Sequence, residues 1–234
     1  MSANHAAFNL IFRFVENYIS PIAGRISSQR HVMAIRDGFI SAMPFMIVGS
    51  FLLVFAYPPF SPDTTWGFAR AWLDLAKEFE GRILTPFDMT MGIMSIYICA
   101  AISYNLGKHY EKSNQLDPFM CAMLSIMAFL LIAAPKTNGT LPVDSLGGTG
   151  IFTAILVAII STRIFVAITR KGLIIKMPEN VPEFISKSFS SLIPGIAILT
   201  LFTIISAVIT SVGYGSIHEI IYKLIQVPLT SLGS

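Results

Sequence analysis

Long runs of apolar residues alternate along this chain with short polar stretches. The first run, Gly38 to Tyr57, reads GFISAMPFMIVGSFLLVFAY and carries no charge. A second extends from about Phe87 to Leu106 with Asp88 at its start, and a third from Pro118 to Ala134. A fourth spans Gly150 to Ile168 with Arg163 inside it, and a fifth about Phe189 to Val212 with Pro194 near its start. These lengths match the roughly 17–25 residues that cross a hydrocarbon core of ~30 Å. Backbone polar groups in lipid are satisfied only in helices or closed barrels, and a barrel would show alternating segments of about ten residues. The runs are continuous, so the pattern predicts an all-α membrane protein with about five transmembrane helices over residues 38–212. Amphipathic stretches flank them at both ends. Phe8, Ile11, Phe12, Val15, Ile19, Ile22 and Ile26 recur at helical spacing, opposite Arg13, Asn17 and Gly24, with a kink expected at Pro21. Ile217, Ile220, Ile221 and Leu224 repeat the idea near the other end. Residues 1–37 therefore read as an N-terminal amphipathic segment, and 213–234 as an interfacial helix and chain end.

Composition points the same way. Of 234 residues, 54% are hydrophobic and 12% charged, about half the charge of a soluble domain. Mean hydropathy is +0.69. The net charge of +3 is too small for nucleic acid as the main partner. Assigning the polar segments to alternate sides places ten of the sixteen basic residues with the N-terminus, which is expected to be cytoplasmic. Loop 58–86 is the weak point of this orientation, because Arg70, Lys77 and Arg82 are mixed there with four acids.

Candidate chemistry is sparse. Buried charge is expensive in lipid and marks transport sites. Arg163 lies seven residues, ~10 Å of helix, before Arg170 and can snorkel to the interface. Asp88 reads as an N-terminal helix residue favoured by the dipole. His5, His31, His109 and His218 fall in flanks and loops, and no metalloprotease, hydrolase or phosphate-loop motif is present. Catalytic residues, a metal site and a cofactor are not expected. Cys99 and Cys121 sit inside apolar runs and read as small buried hydrophobes. Ala154, Ala158 and Thr162, spaced four apart, allow close helix approach, within the chain or between copies.

The polar connection KMPENVPEFISKSFSSLIPG, 176–195, stands out. Pro178, Pro182 and Pro194 fix the backbone and restrain the preceding residues, so the connection is expected to be an ordered extended turn. Glu179 and Asn180 are held between two of these prolines. Ser186 or Ser188 is expected to cap the fifth helix.

This stretch resembles a signature of enzyme IIC, the membrane subunit of the lactose/cellobiose branch of the phosphotransferase system. RDGFISAMPFMIVGSFLLV at 36–54 and GGTGIFTAILVAII at 147–160 are similar to that family in the same order. The likeness covers nearly the whole chain. It implies a homodimeric, multi-pass permease of the bacterial cytoplasmic membrane importing a β-linked disaccharide such as cellobiose or chitobiose. The sugar would be phosphorylated on entry, with phosphate supplied by a cysteine of a separate enzyme IIB, and neither Cys99 nor Cys121 would carry it. The resemblance also places the loop with Glu179 and Asn180 near the cytoplasmic side of the sugar chamber. Family members are roughly twice as long, and their second half supplies the sugar-holding residues. The chain thus reads as an N-terminal half that assembles but does not transport alone. The alternative is a structural or assembly membrane protein without transport activity. An ion-coupled transporter would need buried acids that the runs lack.

Overall fold

The structure, a computed structural model, describes residues 16–17, 20–114, 116–135, 141–178, 180–211, 217–221 and 223–224. Among them the chain forms nine α-helices joined by turns and loops. They are α1 (Ser20–Ser27), α2 (Arg30–Ala56), α3 (Gly67–Asp88), α4 (Met94–Asn114), α5 (Pro118–Ala133), α6 (Ile151–Arg170), α7 (Glu183–Ser190), α8 (Leu192–Ser211) and α9 (Ile217–Ile221). A 3₁₀ turn, Gly148–Gly150, leads into α6. Most of the N-terminal amphipathic stretch, the segment 136–140 and most of the final interfacial stretch lie outside the described residues. Pro21 falls in the first turn of α1, where its missing N–H costs nothing.

Among the described residues, three stretches are long and apolar enough to cross a membrane: Arg30–Ala56, Gly148–Arg170 and Glu183–Ser211, with mean hydropathy of 2.2, 2.4 and 2.5 over their 18-residue apolar windows. The shorter α5 is equally apolar. The expectation of an all-helical membrane chain therefore stands on three such stretches. The first apolar run lies within a helix that begins earlier, at Arg30, and carries an exposed Arg36–Asp37 pair at 2.8 Å before the run.

Two expectations are corrected between residues 58 and 106. The mixed-charge segment 58–86 is not a loop, since most of it forms α3. Phe68, Trp72, Leu75, Phe79 and Ile83 recur at three or four residues, giving the helix one apolar face. Trp72 Nε1 donates to the Phe55 carbonyl at 3.2 Å, and Tyr57 Oη donates to Glu80 Oε1 at 2.9 Å. That hydrogen bond, with the carboxylate's charge, raises the Tyr57 phenol above its ordinary pKa. The second apolar run, in turn, is not one helix. Phe87 and Asp88 end α3, residues 89–93 turn, and α4 begins at Met94. Asp88 therefore sits at a helix C-terminus, where the dipole does not favour it. Pro86 and the close approach of Gly92 to the Asp88 backbone end the helix there.

The core is built on α4. Its residues Ile98, Cys99, Ile102, Ser103 and Leu106 are fully buried, a face repeating at three and four residues. It packs between α2, α5 and α6. The α2 side of this contact is a seam of small residues, Ala34, Gly38 and Ala42, all buried, and Gly49 continues it against Thr90 and Met91 of the turn before α4. A methyl group on Gly38 would lie 2.9 Å from the Ile102 backbone nitrogen, so the two helices touch backbone to backbone there. The α6 contact uses Ala154, Ala158 and Thr162, all at 0% exposure, so the small-residue stripe packs within the chain. Cys99 and Cys121 are buried free thiols, as their apolar surroundings suggested.

Where α4, α5 and α6 meet, four hydroxyls form one network. Ser103 Oγ lies 2.6 Å from both Ser125 Oγ and Thr162 Oγ1, and Ser125 Oγ lies 2.5 Å from Ser161 Oγ. Ser103 also donates to the Cys121 carbonyl at 2.9 Å, and Ser161 to Val157 at 2.6 Å. In an apolar setting each hydroxyl needs a partner, and the network supplies it while tying three helices together.

Candidate functional site

The polar connection 171–182 starts from a defined helix end. Gly172 adopts φ +71°, a left-handed conformation that suits glycine. The Gly172 N–H donates to the Thr169 carbonyl at 3.0 Å, and the Leu173 N–H to the Ile168 carbonyl at 3.2 Å. This pair of bonds closes α6 as a Schellman motif. Further on, Val181 N–H donates to the Pro178 carbonyl at 3.1 Å, making the tight turn that the two prolines frame. Ser190 Oγ of α7 donates to the Ile175 carbonyl at 3.2 Å and fastens the loop to the next helix.

Of the two residues singled out in this loop, Asn180 is exposed on the turn, and Glu179 lies outside the described residues. Beside the loop is a polar cleft of about 450 Å³, lined by Glu111 and Leu116 from the α4–α5 corner, Ile174 of the loop, and Glu183, Ser186 and Lys187 of α7. Lys187 Nζ pairs with Glu183 Oε1 at 2.8 Å across one helical turn. Asn180 is not among the lining residues. The capping expectation is corrected as well. Pro182 occupies the N-cap position of α7, with Glu183 in the first turn. Ser186 and Ser188 lie inside the helix. Ser188 Oγ donates back to the Phe184 carbonyl at 3.0 Å, and Ser186 lends its carbonyl to Ser190 Oγ at 2.8 Å. The break between α7 and α8 falls at Ser191, three residues before Pro194.

A second cleft, of about 440 Å³, opens between α2, α4 and α5. Phe45 and Tyr97 stack there with ring centres 4.5 Å apart and planes 7° from parallel. Tyr97 Oη is tied to the Met89 carbonyl at 2.8 Å, which fixes the ring. Tyr104, Asn105 and Ser41 add polar atoms to the same wall. Asn105 donates through Nδ2 to the Ala101 carbonyl at 2.8 Å, which orients its amide. A flat aromatic surface with hydroxyl and amide groups beside it can take an amphipathic ring that offers both C–H faces and hydroxyls. Nothing in the linear pattern singled out these residues, because they come from three helices separated by long stretches of chain.

Arg163, expected to snorkel, reaches the Tyr110 side chain. It is exposed, and its Nη1 donates to Tyr110 Oη at 3.2 Å. Among the described residues no group of three or more His, Cys, Asp or Glu side chains could hold a metal.

Comparison with known proteins gives this architecture a family. The model of the family "Phosphotransferase system, EIIC" matches residues 36–233. The cellobiose-specific EIIC component of Geobacillus stearothermophilus is 33% identical over 237 residues, covering 94% of this chain and 50% of that protein. The oligo-beta-mannoside-specific EIIC component of Bacillus subtilis is 34% identical over 240 residues, covering 96% of this chain and 50% of its own length. The crystal structure of ChbC, the IIC component from the N,N'-diacetylchitobiose-specific phosphotransferase system, superposes with a TM-score of 0.80 at 36% identity. That superposition covers 94% of this chain and 52% of ChbC. The chain thus spans about half the length of the relatives it matches. With a matched region covering most of its length and an apolar helical bundle to go with it, this chain belongs to the phosphotransferase system EIIC family.

Proposed function

We propose that the chain forms the scaffold half of a sugar permease of the bacterial cytoplasmic membrane, importing a β-linked disaccharide of the cellobiose or chitobiose type. The observation that carries this reading is the match over residues 36–233, together with the 0.80 TM-score to ChbC. The sugar would be phosphorylated on entry by an EIIB partner, and the buried thiols Cys99 and Cys121 are unsuited to carrying phosphate. In this reading α4 and α5 also cross the membrane, making five crossings. The 21 residues of α4 rise ~32 Å, enough to span, while the 16 of α5 rise ~24 Å and require local thinning of the bilayer. The N-terminus is cytoplasmic, the permease is a homodimer, and the loop with Glu179 and Asn180 lies at the cytoplasmic mouth of the sugar path.

Radiolabelled cellobiose binding tests the proposal. Purified chain alone is expected to bind none, and adding the complementary half of a cellobiose EIIC relative is expected to restore binding. Binding by the chain alone would move the sugar site into this half, with the Phe45–Tyr97 cleft as its place. Correct insertion and assembly with no binding in either case would favour a non-transporting assembly protein. Orientation is read separately. A cysteine placed at Asn180, in a background with Cys99 and Cys121 replaced by serine, should react with an impermeant thiol reagent from the cytoplasmic face only. In a full-length context, replacing Pro178, Asn180 and Pro182 together with alanine should impair uptake while membrane insertion is retained. Normal uptake kinetics in that variant would remove the loop from the transport path.

A further inference from the structure

Helix α3 begins and ends on one side of the bundle. Along α2 from Gly38 to Gly49, the neighbour across the seam moves back from Ile102 to Met91, so α2 and α4 run antiparallel. The end of α2 and the start of α4 therefore share a side, and α3 joins them. Its 22 residues rise ~33 Å, enough to cross a hydrocarbon core of ~30 Å once. Only residues 89–93 then separate it from α4, too few to cross back. The hydrogen bonds from Trp72 to Phe55 and from Tyr57 to Glu80 fasten the middle of α3 to the end of α2.

The two flanks of α3 are unlike. At ~100° per residue, Phe68, Trp72, Leu75 and Phe79 fall together on one, and Arg70, Asp74 and Lys77 on the other. The apolar flank leaves a groove of about 320 Å³ lined by Phe55, Phe68, Trp72, Leu75 and Ile83. Phe68 is 60% and Leu75 58% exposed. The other flank bounds a cleft of about 460 Å³ whose polar atoms come from Tyr57, Asp74, Lys77 and Glu80.

Three observations say what covers the apolar flank. It continues the outer face of α2, where Phe51 is 62% exposed one helical turn before Phe55. Trp66 and Trp72, the two tryptophans of the chain, each lie with ring centres 5.7 Å from that of Phe60, beside Tyr57, where the apolar run of α2 ends. Tryptophan collects at that boundary, because its ring is apolar and its N–H is not. Arg82 stacks over Phe79 at 5.6 Å on the edge of the flank, where a long cation on an interfacial helix reaches lipid phosphate. We infer that the apolar flank of α3 is a phospholipid-docking surface, embedded at the headgroup–acyl boundary of one leaflet while the Asp74–Lys77 flank stays in water. The leaflet is the outer one, which rests on the proposed cytoplasmic N-terminus; the embedding does not.

The two tryptophans make this surface readable. The full chain is reconstituted in phosphatidylcholine–phosphatidylglycerol vesicles, with the phosphatidylcholine brominated on its acyl chains either near the glycerol or near the chain ends. Tryptophan fluorescence is expected to be quenched more by the shallow bromines than by the deep ones. Trp72→Phe, which leaves Trp66 as the reporter, and Trp66→Phe, which leaves Trp72, should both show that order. Leu75→Asp should cut quenching at least about twofold, because a charge on the apolar flank opposes embedding. Asp74→Leu, on the other flank, should not reduce it. Stronger quenching by the deep bromines would mean that α3 crosses the bilayer. Emission that neither lipid quenches would mean that a second copy or another protein segment covers the flank, or that it stands in water. Either result overturns the inference, as does unchanged quenching in an inserted Leu75→Asp chain. If Leu75→Asp fails to insert, the depth order in the unaltered chain still decides. Sidedness is scored separately. Asp74→Cys, in a C99S/C121S background, should react with an impermeant thiol reagent from outside the cell only. Reaction from the cytoplasmic face alone would overturn the leaflet and the cytoplasmic N-terminus together, while the docking surface stands or falls by the quenching.

Discussion

Helices α2 and α4 lie side by side and use opposite rules. α2 is the more apolar, yet it turns Ile40, Ile47 and Phe51 outward and buries only small residues. α4 is less apolar, yet it is buried on a wide face that includes Ser95 and Ser103 at 0% exposure. In water this arrangement would be inverted. In lipid the outward-facing large side chains are already in an apolar solvent, so burying them gains little. What holds the bundle is close backbone approach and interhelical hydrogen bonding. Hydrophobicity thus marks where a helix meets lipid, and small or hydroxyl-bearing residues mark where it meets another helix.

The largest expected effect separates these two environments with the same chemistry. Phe129 is at 0% exposure in the core and Phe51 at 62% on the outer face of α2. Phe129→Ala should cost about 3–5 kcal/mol through the cavity it leaves. Phe51→Ala should change stability by less than about 0.5 kcal/mol. Unfolding by a denaturing detergent, followed by circular dichroism, measures both. Equal losses would mean that α2 packs outward against protein.

Next in size is the seam itself. Gly38→Leu would push a side chain into the Ile102 backbone, and rigid neighbours of this kind resist by about 1–3 kcal/mol or more. The same change at Gly24, which has no atom within 4 Å of an added Cβ, should be nearly neutral. The pair distinguishes a glycine kept for helix contact from one on an open surface.

How much of this was legible depends on whether the information is local. α2, α5, α6 and α8 were readable because each contains a long apolar run, with Arg163 the one charge inside the run of α6. The turn at 178–181 was readable because prolines act on their immediate neighbours. α3 was misread because Arg70, Asp74, Lys77, Glu78 and Arg82 interrupt the apolar run that a spanning-segment search requires. Its spacing of Phe68, Trp72, Phe79 and Ile83 did carry a helical signal. The break at 89–93 was hidden by apolar residues on both sides of it. The hydroxyl network and the Phe45–Tyr97 cleft were not legible at all. Each joins residues from three helices, so only the packing topology brings them together. Glu179 and Asn180 drew attention for a local reason, the flanking prolines, and that reason says nothing about which side chains line the neighbouring cleft.

The left-handed end of α6 gives a mid-sized test. Gly172→Ala keeps both closing hydrogen bonds possible but puts a Cβ into a conformation that disfavours it by about 1–2 kcal/mol. The loss should be local, so faster backbone exchange across 171–178 with an unchanged core would place it correctly. Exchange spreading into α4 would show that the loop supports the bundle.

The smallest effect addresses the hydrogen-bonded half of the comparison. Ser103 contacts Ser125, Thr162 and the Cys121 carbonyl, but Ser125 retains Ser161 when Ser103 is lost. Interhelical hydrogen bonds in membranes contribute about 0.6 kcal/mol on average and about 1.7 at most. Ser103→Ala should therefore cost about 1 kcal/mol, less than Gly38→Leu despite removing three contacts. The double change Ser103→Ala with Ser125→Ala should cost less than the sum of the single changes, because the first already removes their shared bond. Strict additivity would mean that the hydroxyls act separately, and that close backbone approach alone joins α4 to α5 and α6.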